Sequence, residues 1–394
     1  MISQNNITSI TGAGIVSPAG LSIDHLWEAC LANKVLTENG LGKVEQEHCE
    51  AIVNYVNSSE FIVSKPAYFS KALYFSLFAI ISAMENANWD KLNETDALFI
   101  GTTTGMLTTW EGGFIEYMKT SKITHQFRNN FEKHNLGFLG DEIRRSLGFT
   151  GKIVINTSAC SASTQAFADA HNWLVTSQCE RCLVGGVEEL GQLTIRGFKS
   201  LKLLIDQPCV PFDQNRSGIN LSEGAAFYTL EKQKETSRAD LLGGNTYLDS
   251  YHMTSPHPEA YGLCQAIEKT LKKSEIEKKQ IDLIHAHGTG SPHNDQAEAY
   301  GVKNVFGNST PTISTKGTHG HALAASGSFE IGLCLKILET NTIPAITGLR
   351  TPDKEFSIKL PQETIHKKIT YLMKTTLGFG GVNCTLLLRG NLSC

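Results

Sequence analysis

Residues 151–176 read GKIVINTSACSASTQAFADAHNWLVT and contain one cysteine, Cys160, between two differently patterned runs. The β-branched run before the cysteine predicts a buried strand, and the small and apolar residues after it predict a helix. RCLVGGVEEL at 181–190 and DALFIGTTTGM at 96–106 predict two further strands. Strands that alternate with helices of ten or more residues indicate an α/β fold with parallel sheets covered on both faces.

The same alternation starts again in the second part of the chain. IDLIHAHG at 281–288 predicts a strand, ALAASGSFEIGLCLKILET at 322–340 a long helix, and TTLGFGGVNCTLLLRG at 375–390 a closing strand. A chain of 394 residues exceeds one ordinary domain. We therefore expect two similar α/β halves, residues 1–235 and 236–394, joined near the charged stretch EKQKETSRAD at 231–240.

Composition excludes several classes of protein. The net charge is only −4 and no five like charges are consecutive, so neither nucleic acid nor a charged membrane surface is an expected partner. Ten irregularly spaced cysteines in a long chain indicate reduced thiols, and MISQNNITSI lacks the pattern of a secretory signal. We expect a cytoplasmic protein. The apolar stretch at 72–84 is too short to span a bilayer, which indicates a buried helix.

Cys160 is the first candidate functional residue. A strand that gives way to a helix places its thiol at a helix N-terminus, where unpaired amides and the macrodipole favour an anion. That position predicts a lowered thiol pKa and amides able to receive an oxyanion. From this stretch alone, a buried structural cysteine remains the alternative.

Three later clusters carry further chemistry. HAHGTGSPHNDQAEA at 285–299 delivers His285 and His287 from a strand to a loop, and periodicity does not choose between them. STKGTHGHALAASG at 314–327 supplies a lysine and two histidines, and the glycines of GFGGVN at 378–383 let backbone amides approach an oxyanion. The rival interpretation is a zinc site in which Asp295 and Glu298 complete the His-x-His pairs. CERC at 179–182, a lone pair of cysteines with no second pair, predicts neither a zinc site nor a redox dithiol and is interpreted as core and helix end.

Taken in order, SACSAS, HGTGSPHNDQAE, STKGTHGHALAASG and GFGGVN resemble the motif set of the β-ketoacyl-acyl carrier protein synthases, most closely the elongating Cys-His-His type. The resemblance runs from near residue 8 to the end. It implies a thiolase-like fold, in which two similar α/β halves pack into five layers, αβαβα. It also implies decarboxylative condensation of malonyl carrier with an acyl group, in fatty acid or specialised polyketide or polyene synthesis. No metal or redox cofactor is required by that reaction.

The resemblance assigns roles to nine residues. Cys160 is the implied acyl-accepting nucleophile, and His287 and His321 are the implied catalytic imidazoles, which leaves His285 and His319 as bystanders. Lys316 is implied to support the site electrostatically, and Glu298 to order the histidine loop. Phe379 is the implied gating residue, and Gly380 belongs to the glycine cluster that backs the site. Thr289 and Ser291 are implied to contact the pantetheine arm.

Partners also follow from the resemblance. Acyl carrier protein is the implied partner, with Lys65, Lys71 and Lys202 as candidate docking residues, and the chain is expected to form a homodimer or a heterodimer. The loop residues Ile219, Asn220, Ser222 and Glu223, together with Ala324, depart from the family pattern and favour a specialised pathway. A non-catalytic, chain-length-determining partner subunit is the alternative function. Such subunits commonly lack the nucleophile, which this chain retains.

Overall fold

Strands and helices alternate along most of the chain, as the sequence predicts. The computed structural model describes residues 6–391. The first half of MISQNNITSI, the stretch expected not to be a signal, and Cys394, the last of the ten cysteines, lie outside the described residues. Within them, no helix is long and apolar enough to cross a membrane.

Fourteen strands, β1 to β14 in chain order, are Thr8–Val16, Leu41–Gly42, Ala97–Gly101, Lys152–Asn156, Arg181–Glu188, Leu221–Ser222, Gly224–Lys232, Ala239–Leu248, Leu283–His285, Thr312–Ile313, Thr342–Ile343, Ile365–His366, Tyr371–Gly378 and Val382–Gly390. Twelve α-helices, α1 to α12, are Ile23–Leu31, Gln46–Ser58, Lys71–Asn86, Thr108–Thr120, His125–Asn130, Leu136–Leu147, Ala162–Val175, Gln192–Ser200, Tyr261–Lys273, Pro292–Phe306, Lys316–His319 and Ser326–Thr340. These counts refer to residues 6–391.

The large sheet contains one strand order twice. Its ten strands lie in the order β10, β9, β13, β14, β8, β1, β7, β5, β3, β4. Five strands of the first part of the chain, β1, β3, β4, β5 and β7, occupy the same relative places and directions as β8, β9, β10, β13 and β14 of the second. The two sets meet where three residue pairs join β1 to β8.

Helices form three layers around the two sets of strands. α7 and α12 contact each other and strands of both sets, so they lie in the middle of the molecule. α3 contacts β1 and β7 and packs beside α6, whereas α9 contacts β8 and β14 and packs beside α10. This arrangement is the five-layered αβαβα architecture that the resemblance implied, and α3 is the buried helix predicted at 72–84.

Two details differ from the sequence-based expectations. In the ten-stranded sheet, parallel pairing is confined to β4, β3 and β5 and to β10, β9 and β13, and the remaining neighbours are antiparallel. The single closing strand predicted at 375–390 is a hairpin of β13 and β14, in which Gly378 pairs with Val382. Gly380 and Gly381 have φ values of +81° and +78°, which glycine adopts without strain, so the chain reverses there.

Candidate active site

Cys160 lies in a sharp turn between β4 and α7. A 3-10 turn at Ala159–Ser161 connects the two elements, and Ala159 has a φ of +49°, which a residue with a side chain rarely adopts. The cysteine is 4% exposed and stands two residues before the first residue of α7. Gly101 of β3 permits this close approach, because a Cβ there would lie 2.4 Å from the backbone nitrogen of Ser163.

The electrostatic surroundings of Cys160 act in opposite directions. Burial raises the pKa of its thiol to about 11, although the Lys316 charge and the backbone amides of Phe379 and Cys160 lower it. The pKa of the Cys160 thiol is therefore raised overall, so the lowered pKa predicted from the helix N-terminus is wrong. Desolvation of a charged sulfur exceeds what the amides and the lysine return. The resting group is therefore a thiol.

Glu298 of α10 holds the loop that carries His287. Its carboxylate accepts hydrogen bonds from the backbone amides of His287 and Gly288, each at 2.7 Å, and from the Thr375 hydroxyl at 2.7 Å. Asp295, one turn earlier, accepts hydrogen bonds from the amides of Phe212 and Thr289. Both acids named in the zinc alternative thus order backbone at the end of β9.

The contacts of the two imidazoles select one tautomer. Nδ1 of His287 lies 3.3 Å from the Lys316 ammonium, which can only donate, so this nitrogen carries the lone pair and Nε2 carries the proton. Nδ1 of His321 accepts from the Leu323 amide at 3.2 Å and lies 2.6 Å from the Ser326 hydroxyl. Burial and the Lys316 charge hold the pKa of both histidines well below the usual range. Each ring is a neutral Nε2–H donor.

The three predicted reactive groups meet in space. Cys160 Sγ and ring nitrogens of His287 and His321 all lie within 4.8 Å of one another, and the two rings are edge to face with centroids 5.1 Å apart. One thiol and two hydrogen-bond donors therefore point at a common volume. A sulfur and two imidazole nitrogens are also donors that a soft metal ion accepts.

A cavity of about 250 Å³ gives access to this cluster. It is lined by Cys160, both imidazoles, Thr289, Ser291 and Phe379, among others. The hydroxyls of Thr289 and Ser291 lie 3.1 Å apart on one wall. Phe379 sits in the β13–β14 turn and stacks on Phe198 with ring centroids 5.9 Å apart. Gly380 is exposed, and its amide donates to the Met253 carbonyl at 2.8 Å.

Two charged residues that the sequence analysis missed lie behind the site. Glu330 of α12 contacts Lys316 on one side and Lys374 of β13 on the other, the latter at 2.8 Å. All three side chains are at most 1% exposed. The available signal was a charged residue within an otherwise apolar helix or strand, which in a packed core requires a partner.

Other singled-out residues lie away from the cavity. His285 and His319 are buried and share the Thr315 hydroxyl, at 3.2 and 3.0 Å. Lys71 is not a free docking residue, because it forms an ion pair with Glu223 at 2.5 Å. In CERC at 179–182 both cysteines are buried, as expected, but their sulfurs lie only 3.2 Å apart.

The doubled α/β topology and a buried cysteine beside two imidazoles define a thiolase-like acyltransferase. Family models agree: the N-terminal domain of the β-ketoacyl synthases matches residues 7–236 and the C-terminal domain matches 239–350. The chain belongs to the β-ketoacyl synthase family.

Individual relatives are similar over nearly their whole length. A 3-oxoacyl-[acyl-carrier-protein] synthase 2 of Staphylococcus aureus is 28% identical, with 98% of this chain and 99% of the relative covered. A ketosynthase in complex with its chain length factor from Xenorhabdus doucetiae is 25% identical, with a TM-score of 0.81 and 97% and 98% covered. A type II polyketide acyl carrier protein in complex with its ketosynthase gives 22% identity and a TM-score of 0.83, with 98% and 99% covered.

Proposed function

We propose that this chain is a 3-oxoacyl-[acyl-carrier-protein] synthase that uses Cys160 as its acyl-accepting nucleophile. The observation that carries the proposal is the meeting of the Cys160 thiol with ring nitrogens of His287 and His321 in one cavity. A thiol accepts an acyl group, and two fixed donors stabilise the enolate that forms when a malonyl thioester loses carbon dioxide.

In the first half reaction the acyl group moves from the carrier thioester to Cys160. The sulfur adds to the thioester carbonyl, and the amides of Cys160 and Phe379, which lie close enough to lower the thiol pKa, receive the oxyanion. When the carrier sulfur leaves, the bond to Cys160 remains. The thiol proton is transferred in net terms to the departing carrier sulfur, so the charge of the site is unchanged.

In the second half reaction the malonyl thioester binds with its carbonyl oxygen toward the two imidazoles. Loss of carbon dioxide leaves an enolate, whose oxygen accepts hydrogen bonds from Nε2 of His287 and His321. The new carbanion attacks the acyl carbonyl on Cys160, the carbon–sulfur bond breaks, and the sulfur leaves as a thiolate, which takes one proton from solvent to restore the thiol. Lys316 fixes the His287 tautomer and Glu298 fixes its loop.

Other residues at the cavity are assigned supporting roles. Thr289 and Ser291 would contact the pantetheine arm, Phe379 would gate the acyl chain, and Gly380 would give its turn the required backbone. We assign residues 1–235 and 236–394 to the two halves, because the repeated strand order changes over between β7 and β8. The expected partners are acyl carrier protein and a second synthase chain, identical or related, and the expected location is the cytoplasm.

A condensation assay tests the proposal. Purified protein is mixed with acyl carrier protein bearing medium or long acyl chains, and with malonyl carrier, and the carriers are weighed by mass spectrometry. The proposal expects a 3-oxoacyl carrier two carbons longer than the primer, formed by the native chain and absent with Cys160→Ala. A product that forms equally with Cys160→Ala would overturn it. No product with any primer would favour a non-catalytic partner subunit.

A further inference from the structure

A buried Lys–Glu–Lys cluster lies directly behind the candidate active site. Glu330 stands between the ammonium groups of Lys316 and Lys374, and the three side chains are almost fully buried. Burial alone would raise the pKa of Glu330, but the two lysines outweigh it and hold that pKa below its usual range. One carboxylate therefore faces two ammonium groups, so these three residues together carry one net positive charge, and the Glu298 carboxylate is a further acid that interacts with both lysines.

Two chains of contacts connect strand β13 with His287. The first leads from Lys374 through Glu330 to Lys316, whose ammonium donates to the His287 carbonyl at 2.6 Å and faces its Nδ1 at 3.3 Å. The second starts one residue later, where the Thr375 hydroxyl donates to Glu298, the acid that accepts the His287 amide. Lys374 also donates to the Thr375 carbonyl, so the two chains meet.

We propose that Lys374 is a positioning residue whose charge adds to burial and to Lys316 in keeping His287 and His321 as neutral Nε2–H donors. Without Lys374, the Lys316–Glu330 pair still opposes an imidazolium at His287 through the nearby lysine, and Lys374 adds a second positive charge behind it. With Lys374 present the cluster is positive, and a protonated His287 would turn a donor toward the Lys316 ammonium. This inference rests on the proposed function, because it assigns a role within the same reaction.

Other groups around the imidazoles do not replace Lys374. His287 faces Lys316, His321 and the Cys160 thiol, and the carboxylate of Glu298 accepts from its backbone. Burial contributes most to the lowered pKa of both imidazoles, followed by Lys316, and Lys374 makes a smaller contribution in the same direction. His319 also lowers the pKa of His321. Glu330 opposes this effect at His321. A change at Lys374 should therefore alter the pH dependence while the contacting residues stay in place.

The test measures malonyl-carrier decarboxylation against pH for the native chain and for Lys374→Met. Methionine keeps the length of the side chain and removes the charge, so the pKa of the imidazoles should rise. The acid limb of the pH–rate profile for decarboxylation should therefore move to higher pH by roughly 0.5 to 1 unit. Lys374→Gln is a second neutral variant in case methionine prevents folding. Lys336→Met, which removes a partly buried lysine paired with Asp24 and Glu339, is the matched control and should leave the profile unchanged.

A charge-restoring pair separates electrostatics from packing. Glu330→Gln leaves two unbalanced lysines, and adding Lys374→Met returns the cluster to one positive charge, so the double variant should be at least tenfold more active than Glu330→Gln alone. An acid limb unchanged in both Lys374 variants, or a native acid limb above pH 6.5, would overturn the proposal. A native chain that neither accepts an acyl group nor decarboxylates malonyl carrier would instead overturn the proposed function.

An independent observation concerns Cys179 and Cys182, neither of which lines the cavity. Cys179 follows α7 and Cys182 lies in β5, and their sulfurs are 3.2 Å apart. Cys179 is 6% exposed and Cys182 is fully buried. The hydrogen bond from Cys182 lowers the pKa of the Cys179 thiol, whereas burial raises the pKa of Cys182. Cys179 is thus the better nucleophile, and Cys182 is close enough to attack a mixed disulfide formed on Cys179.

We infer that Cys179 and Cys182 form a site of reversible oxidation by a low-molecular-weight disulfide such as oxidised glutathione. The Cys179 thiolate attacks the small disulfide and displaces one glutathione, which gives a mixed disulfide. Cys182 then attacks the Cys179 sulfur and displaces the second glutathione. One protein S–S bond replaces the S–S bond of the oxidant, and the two protein thiol protons end on two reduced glutathione molecules.

The test uses trypsin, which cleaves between Arg181 and Cys182 and so separates the two cysteines. After incubation with oxidised glutathione, the native chain and Cys160→Ala should both give the two flanking peptides as one linked species, lost on reduction. Cys182→Ser should instead accumulate glutathione on Cys179. Cys49, a comparably buried thiol beside the Val44 carbonyl, is the internal control and should react more slowly. Separate peptides in Cys160→Ala, or equal reaction at Cys49, would refute the inference.

Discussion

Alkylation of Cys160 as a function of pH tests whether the nucleophile rests as a thiol. With a pKa of about 11, only about 1 thiol in 3,000 is ionised at pH 7.5, against about 1 in 10 for a free cysteine. A more basic thiolate is also intrinsically more nucleophilic, by about tenfold over this pKa range, which partly offsets the smaller ionised fraction. We therefore expect Cys160 to react about 30-fold more slowly than a free thiol, before any further slowing by burial.

The assay follows iodoacetamide labelling of the Cys160 peptide by mass spectrometry between pH 6.5 and 9.5. The rate should rise about tenfold per pH unit throughout, because ionisation is never complete in that range. Lys316→Met should label more slowly at every pH, since the lysine charge lowers the thiol pKa. A rate that reaches a plateau below pH 8 would show a preformed thiolate, and the account of the resting site would be wrong.

Three further predictions concern the same site. His321→Ala should lower malonyl-carrier decarboxylation by about 100- to 1,000-fold, because one donor to the enolate is lost, and activity within threefold of the native chain would contradict its role. Glu298→Gln should lower kcat with little change in folding, because one oxygen that accepts the His287 amide is replaced by a donor or reoriented, and unchanged kcat would refute that. Gly381→Ala should reduce the free energy of unfolding by about 1 to 3 kcal/mol in urea titrations, since a Cβ there would lie 2.4 Å from Asp249 at a φ of +78°.

Matched variants accompany these measurements. The exposed His25 serves as the histidine control for His321→Ala, and His25→Ala should retain decarboxylation. Glu60→Gln removes a surface carboxylate and should leave kcat unchanged. Gly307, whose added Cβ would contact nothing within 4 Å although its φ is also positive, isolates backbone strain from the clash at Gly381. Equal losses for both glycine variants would show that strain alone accounts for the effect.

The sequence predicted the positions of the reactive groups well because each lies at the end of an element with a clear pattern. Cys160 follows a β-branched run and precedes a small-residue helix, and His287 is the second residue after β9. The resemblance then chose His287 and His321 over His285 and His319, which periodicity alone left open. The structure places the chosen pair at the cavity and the other pair around Thr315.

Properties that depend on tertiary surroundings were not predictable in the same way. The thiol pKa of Cys160 is raised because burial outweighs the helix N-terminus, and burial depends on residues distant in sequence. Lys374 and Glu330 are single charges in apolar stretches, and only the packing of α12 on β13 brings them together. The β13–β14 hairpin was predicted as one strand, although the glycines of GFGGVN also fit an ordinary turn, which is what the structure shows there.

The most direct test of the account is the intact mass of the protein after incubation with a panel of acyl carrier proteins. We expect the native chain to gain the mass of one acyl group, located on the peptide that contains Cys160, and we expect Cys160→Ala to gain none. The same mass on another residue, or no acyl transfer from any carrier, would contradict the claim that Cys160 is the nucleophile of a condensing enzyme.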